Sequence, residues 1–158
     1  MLTPVDWRLV ATVDTGSPNL YLPSTLYKAI AAPLNVSMHP NTEGVPTPYV
    51  PCTLCSSDDS LELGFAGRGG SAGPKIRMPY REMIYRFGTP APIGEVKDED
   101  GNEMCYLGVI PWDGNDIVLV GAVLTRNAYV VFDGEELELR MAQVKTATLP
   151  APTPYCEI

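Results

Sequence analysis

Four short patterns in this 158-residue chain hold residue types capable of chemistry. The first is Asp14-Thr15-Gly16-Ser17, which follows the run Leu9-Val10-Ala11-Thr12-Val13. A carboxylate that activates water must sit at the end of a rigid element and be held ionised by hydrogen bonds. A strand running into Asp14, a glycine that allows a tight loop and flanking hydroxyls supply those conditions. Taken alone, the same letters also suit a β-turn closed by an Asx hydrogen bond. The second pattern is Cys52-Thr53-Leu54-Cys55, the CxxC spacing of redox and zinc sites. A zinc ribbon needs a second close pair, and Cys105 and Cys156 lie 51 residues apart. A thioredoxin-like site needs a helix after the motif, where this chain has Ser56-Ser57-Asp58-Asp59-Ser60. The cysteines therefore read as structural disulfides, and neither a metal nor a cofactor is expected. The third pattern is Ser37-Met38-His39-Pro40-Asn41, a proline-containing stretch that reads as a surface loop. His39 is the single histidine, so a multi-histidine metal centre is excluded and any Ser-His-Asp or Cys-His site would have to use it. The fourth is Asn35-Val36-Ser37, a candidate glycosylation sequon.

The composition limits what can position these groups. Proline and glycine, 16 and 14 residues, are well above their usual ~12% share and argue against a helical bundle. A hydrophobic content of 45% is enough for one globular domain. The formal charge of −8 repels phosphate backbones, so nucleic acid is a poor partner. No apolar run approaches the ~20 residues of a membrane span.

Along the chain, Trp7–Val13 and Leu20–Leu22 read as strands around the aspartate loop. Ser24 is expected to cap a short helix, with Leu26/Ile30 and Tyr27/Ala31 at helical spacing and Pro33 as its stop. Residues 34–50 read as loop. Leu61–Phe65 and Lys75–Met78 read as strands around a glycine-rich turn, followed by a helical turn over Tyr80–Phe87. Pro90–Asn102 reads as an exposed hairpin tip or loop. Cys105–Ile110 and Ile117–Val120 are expected to be buried strands. Tyr129–Phe132 and Leu137–Met141 read as a hairpin turned at Asp133-Gly134. Residues 147–158 form a proline-rich tail that is expected to be poorly ordered. The fold class is all-β with two or three short helices.

Several of these segments occur in a recognisable order. Val13-Asp14-Thr15-Gly16-Ser17-Pro18-Asn19-Leu20-Tyr21-Leu22-Pro23-Ser24 resembles the active-site segment of pepsin-like aspartic proteases, in particular that of the C-terminal lobe of fungal members. Ile117-Val118-Leu119-Val120-Gly121, followed by Ala128-Tyr129-Val130-Val131-Phe132-Asp133, is similar to that lobe's hydrophobic-hydrophobic-glycine strand and the strand after it. Cys55–Phe65, Ile76–Pro79 and Met104–Ile110 fall between them in the expected order, and residues 1–146 form the lobe-like domain.

The resemblance implies an aspartic endopeptidase in which Asp14 is one of two catalytic aspartates. Thr15 and Gly16 would rigidify its loop, Ser17 would bond the carboxylate from outside, and Leu119-Val120-Gly121 would form the second ψ-loop strand. It also implies a disulfide from Cys105 to either Cys52 or Cys55, the remaining cysteine pairing with Cys156 or staying free. Relatives commonly have aspartate where this chain has Ala122, which implies different local hydrogen bonding. Asp100-Gly101, Asp113-Gly114 and Asp133-Gly134 all lack the hydroxyl residue between Asp and Gly, so the second aspartate is expected from elsewhere. With 13 residues before Asp14 and no signal peptide, the chain reads as a C-terminal fragment of a secreted parent. The expected partners are a peptide or protein substrate and a missing N-terminal lobe or a second copy of the chain. The alternatives are an inactive lobe acting as a binding module and a retropepsin-style homodimer. Tyr80, Tyr85 and Phe87 are candidates for a substrate cleft, although aromatics at such spacing are more often core.

Overall fold

The computed structural model describes residues 8–86, 95–112 and 117–145. The first elements are β1 (Val10–Val13), β2 (Leu20–Leu22) and the helix α1 (Ser24–Ala31). Two hairpins follow, β3 (Ser37–Pro40) with β4 (Pro46–Pro51), and β5 (Ser60–Ala66) with β6 (Ala72–Pro79). Short strands come next: β7 (Ile84–Tyr85), β8 (Val96–Lys97), β9 (Glu103–Leu107) and β10 (Val109–Pro111). The described chain closes with β11 (Ile117–Val120), the one-turn helix α2 (Ala122–Thr125), β12 (Ala128–Asp133) and β13 (Glu138–Gln143). This is the all-β architecture with short helices that the sequence leads one to expect.

The site depends on a four-stranded sheet in the order β1-β11-β2-β10. β1 and β2 are consecutive in the chain, yet β11 lies between them, parallel to β1 and antiparallel to β2. The Asp14–Asn19 loop must therefore pass over the end of β11. A second sheet runs β3-β4-β9-β7, with β8 on the far end of β9. Gly108 separates β9 from β10 and lets one extended segment serve both sheets. Leu20, Leu22, Ile84, Leu107, Val109 and Val120 are fully buried where the sheets meet.

Several local expectations need correction. Ser24 is the first residue of α1 and not its cap; Pro23 holds the cap position and makes no side-chain cap bond. By contrast α1 does end ahead of Pro33, at Ala31 with Ala32 as its C-cap, and the proline is accommodated in a 3-10 turn over Ala32–Leu34 that closes at Asn35 with φ 53°. Residues 37–51 form the β3–β4 hairpin and not a loop. Pro46 and Pro48 are tolerated because β9 begins to pair only at Tyr49, so β4 has one neighbour there and a missing N–H can face the open side.

His39 consequently lies half-buried on β3, with Nε2 2.9 Å from the Ser37 hydroxyl and its ring edge-on to Tyr49. The helical turn at 80–87 shrinks to a 3-10 turn over Tyr80–Glu82, since Ile84 and Tyr85 pair with β9. In the last hairpin the left-handed residue is Leu137, with φ 54°, and Gly134 supplies no positive φ. Phe87 and the tail at 147–158 lie outside the described residues.

Burial raises the pKa values of the Tyr27, Tyr49 and Tyr106 hydroxyls; for Tyr106, the charge of a neighbouring Tyr21 phenolate adds to this. The folded chain thus retains protons that an unfolded tyrosine releases near pH ~10. The associated stability is complete below that pH and is lost as pH rises through the higher folded values. The urea midpoint is expected to hold steady to about pH 9 and to fall above about pH 10. A flat midpoint across that window would show that these hydroxyls titrate freely.

Candidate active site

Asp14 follows directly on β1 and is half-buried. Its amide donates to the Val120 carbonyl at 3.0 Å, extending the β1–β11 pairing by one residue. Its own carbonyl accepts the Ser17 amide at 3.2 Å, and the Gly16 amide donates to Asp14 Oδ1 at 2.9 Å. This tight Asx-type turn fixes the carboxylate relative to the sheet. A Cβ on residue 16 would lie 3.3 Å from that same oxygen, so glycine leaves the carboxylate approachable.

The second half of the crossing is set by Leu119, Val120 and Gly121. Val120 is fully buried at the end of β11, and the chain turns at Gly121 into α2. A Cβ on Gly121 would collide with the carbonyl oxygens of Ser17 and Asn19, so only glycine lets the aspartate loop lie against this turn. The contact is bonded as well as close. Ala122 N–H donates to Ser17 O at 2.8 Å, and Val123 N–H donates to Pro18 O at 3.2 Å. Ala122 thus takes part through its backbone.

Thr15 and Gly16 are exposed beside the carboxylate. Ser17 differs from expectation: it holds the loop through its backbone, and among the described residues its hydroxyl has no hydrogen bond to Asp14. Tyr80 is half-buried and Tyr85 is buried against the underside of the loop, so neither is an exposed cleft aromatic. Arg126 had no signal beyond its place in the strand-helix-strand pattern, yet it reaches Tyr85. Asn19, which no local pattern marks, is buried and donates from Nδ2 to the Tyr21 hydroxyl at 3.4 Å.

Away from the loop, a disulfide joins Cys52 to Cys105. Pairing of Val50 with Cys105 and of Pro51 with Met104 carries Cys52 to the flank of β9. Cys55 is also disulfide-bonded, so it is not the free thiol of a CxxC redox pair. The Cys52–Cys105 bond spans 53 residues. Replacing both by alanine is expected to cost about 4 kcal/mol, mostly through the freer unfolded chain. A urea titration reads this directly, and a loss below about 1 kcal/mol would mean that the β4–β9 pairing constrains the chain without the bond. Asn35 is exposed, and Ser37 of its sequon sits on β3. Among the described residues no group of three or more His, Cys, Asp or Glu side chains could hold a metal, and no helix is long and apolar enough to cross a membrane.

The profile of the eukaryotic aspartyl protease family matches residues 5–144. Aspartic proteinase yapsin-3 of Saccharomyces cerevisiae is 30% identical over 93% of the chain, which covers 25% of that protein. Aspartic proteinase 3 of the same yeast is 32% identical over 89% of the chain and 21% of its own length. A probable aspartic-type endopeptidase, OPSB, of Arthroderma otae is 26% identical over 87% of the chain and 26% of its own length. The chain spans about a quarter of the length of these relatives. A carboxylate at a strand end, an interposed partner strand and a glycine pressed on the loop thus accompany a family match over most of the residues, and the chain belongs to the eukaryotic aspartyl proteases.

Proposed function

We propose that this chain is one lobe of an aspartic endopeptidase, with Asp14 as one member of a catalytic pair. The observation that carries the reading is the fixed, approachable carboxylate of Asp14, held by Gly16 N–H at the junction of β1 and β11. In this family two nearby aspartates share a proton because both cannot ionise cheaply, and they hold a water between them. The ionised member takes the proton of that water as it attacks the peptide carbonyl, while the protonated member polarises the carbonyl oxygen. Asp14 supplies one carboxyl, and a second lobe of the full protein supplies the other.

Surface character supports an external partner. β1 pairs with β11 on one side only among the described strands, and its Val10 is 69% exposed beside Ile117 at 38%. Phe132, paired with Leu139, is 59% exposed. Apolar side chains left open along sheet edges and overhanging ribbons are surfaces that another unit covers. The disulfide favours an oxidising compartment, and so the secretory pathway, as the location of the full protein. A quenched-peptide assay at about pH 4, where one member of such a dyad is ionised, tests the reading. Cleavage that depends on Asp14 supports it. A folded assembly containing both lobes that cleaves no peptide contradicts it and favours a binding module.

A further inference from the structure

The Asp14 loop is held from above by Gly121 and α2, but its underside rests on a residue 67 positions away in sequence. Tyr85, on β7, is 2% exposed. Its ring fills the space that a side chain at Gly108 would need, and the Gly108 carbonyl accepts the Leu20 amide at 2.9 Å. Its hydroxyl reaches to 3.5 Å of the Pro18 carbonyl, the same oxygen that takes the Val123 amide. Arg126 Nη2 donates to that hydroxyl at 3.0 Å and to the Glu82 carbonyl, and its guanidinium carbon lies 5.2 Å from the Tyr85 ring centroid.

The direction of these bonds matters. Arginine can only donate, so the Tyr85 oxygen accepts from Arg126 while the hydroxyl faces Pro18 O as a donor. A donor polarised by a neighbouring cation is the stronger for it. We infer that Tyr85, oriented by Arg126, is a positioning residue that pins the Pro18 end of the loop and so fixes the Asp14 carboxyl for the proposed reaction. It acts through the backbone and touches no reacting atom.

Tyr85→Phe removes the hydroxyl and keeps the ring on Gly108. Amide hydrogen exchange resolved by NMR reads the consequence without needing catalysis. The exchange of Gly16, Ser17 and Val123 is expected to accelerate about threefold, less than the worth of a hydrogen bond of ordinary length because the contact spans 3.5 Å. Leu63 and Ile76, in the β5–β6 hairpin, are expected to keep their wild-type rates. Arg126→Lys retains the charge, loses the fork, and is expected to accelerate the same three amides by a smaller factor.

Unchanged loop amides, or equal acceleration of all amides, would overturn the inference. If Tyr85→Phe does not fold, Arg126→Lys decides by the same criterion. In an assembly that cleaves peptide, kcat is expected to fall with KM unchanged, because the loop holds the carboxyl and not the substrate. The role in catalysis rests on the proposed function, and the two can fail separately. A loosened loop in a chain whose complete assembly cleaves nothing sinks the protease reading alone; Asp14-dependent cleavage with a rigid loop in Tyr85→Phe sinks the positioning role alone.

Discussion

Asp14→Asn is expected to lower peptide cleavage by on the order of 10⁴-fold or more in any assembly that cleaves, with little change in stability. Asparagine has the shape of aspartate, and its side-chain oxygen can still accept the Gly16 amide that now bonds Oδ1 at 2.9 Å. It cannot ionise, so it neither shares a proton with a second carboxyl nor takes one from water. The test is kcat on a quenched peptide at about pH 4, measured beside a urea midpoint on the same preparation. A variant as stable as wild type and still within about tenfold of its rate would remove Asp14 from the chemistry.

Gly121→Ala is expected to destabilise the fold by about 3 kcal/mol or more. The added methyl would press on the carbonyls of Ser17 and Asn19, and neither backbone segment can withdraw easily. Ser17 O accepts from Ala122 N–H, and the neighbouring Leu20 N–H is bonded to Gly108 O. Relief therefore requires the aspartate loop to lift off the β11 turn, which would also displace Asp14 and abolish cleavage. Gly64→Ala is the control, since a Cβ there meets nothing nearer than Lys75 Cγ at 3.9 Å. Its urea midpoint is expected to stay within about 1 kcal/mol of wild type. Equal stabilities for the two variants would mean that the close crossing is not what requires glycine at 121.

The aspartate loop was legible because each of its parts has a local cause: apolar residues into Asp14, a glycine two residues on, and a second apolar run ending at Gly121. The outer hairpins were legible too, from alternation in Leu61–Phe65 and from two β-rich runs around Asp133-Gly134. Interactions that depend on distant pairing were hidden. Proline density made 34–50 look like loop, since no local rule says that β4 has an open side at Pro48. The choice between Cys52 and Cys55 turned on the register Val50–Cys105, which spacing does not encode. Tyr85 looked like an ordinary core aromatic, and its reach to Pro18 emerges only once β7 joins β9 beneath the loop. Even the last turn, correctly located, put its left-handed residue at Leu137 and not at the glycine.

In the proposed function Asp14 is half of a catalytic pair whose other half comes from a second aspartate loop. Light scattering across a size-exclusion peak, with peptide cleavage assayed on every fraction at about pH 4, tests it most directly. The account predicts that monomeric fractions cleave nothing, and that any activity appears only in species holding a second aspartate loop and disappears with Asp14→Asn. A monomer that cleaves peptide on its own, or activity that survives Asp14→Asn, would contradict it.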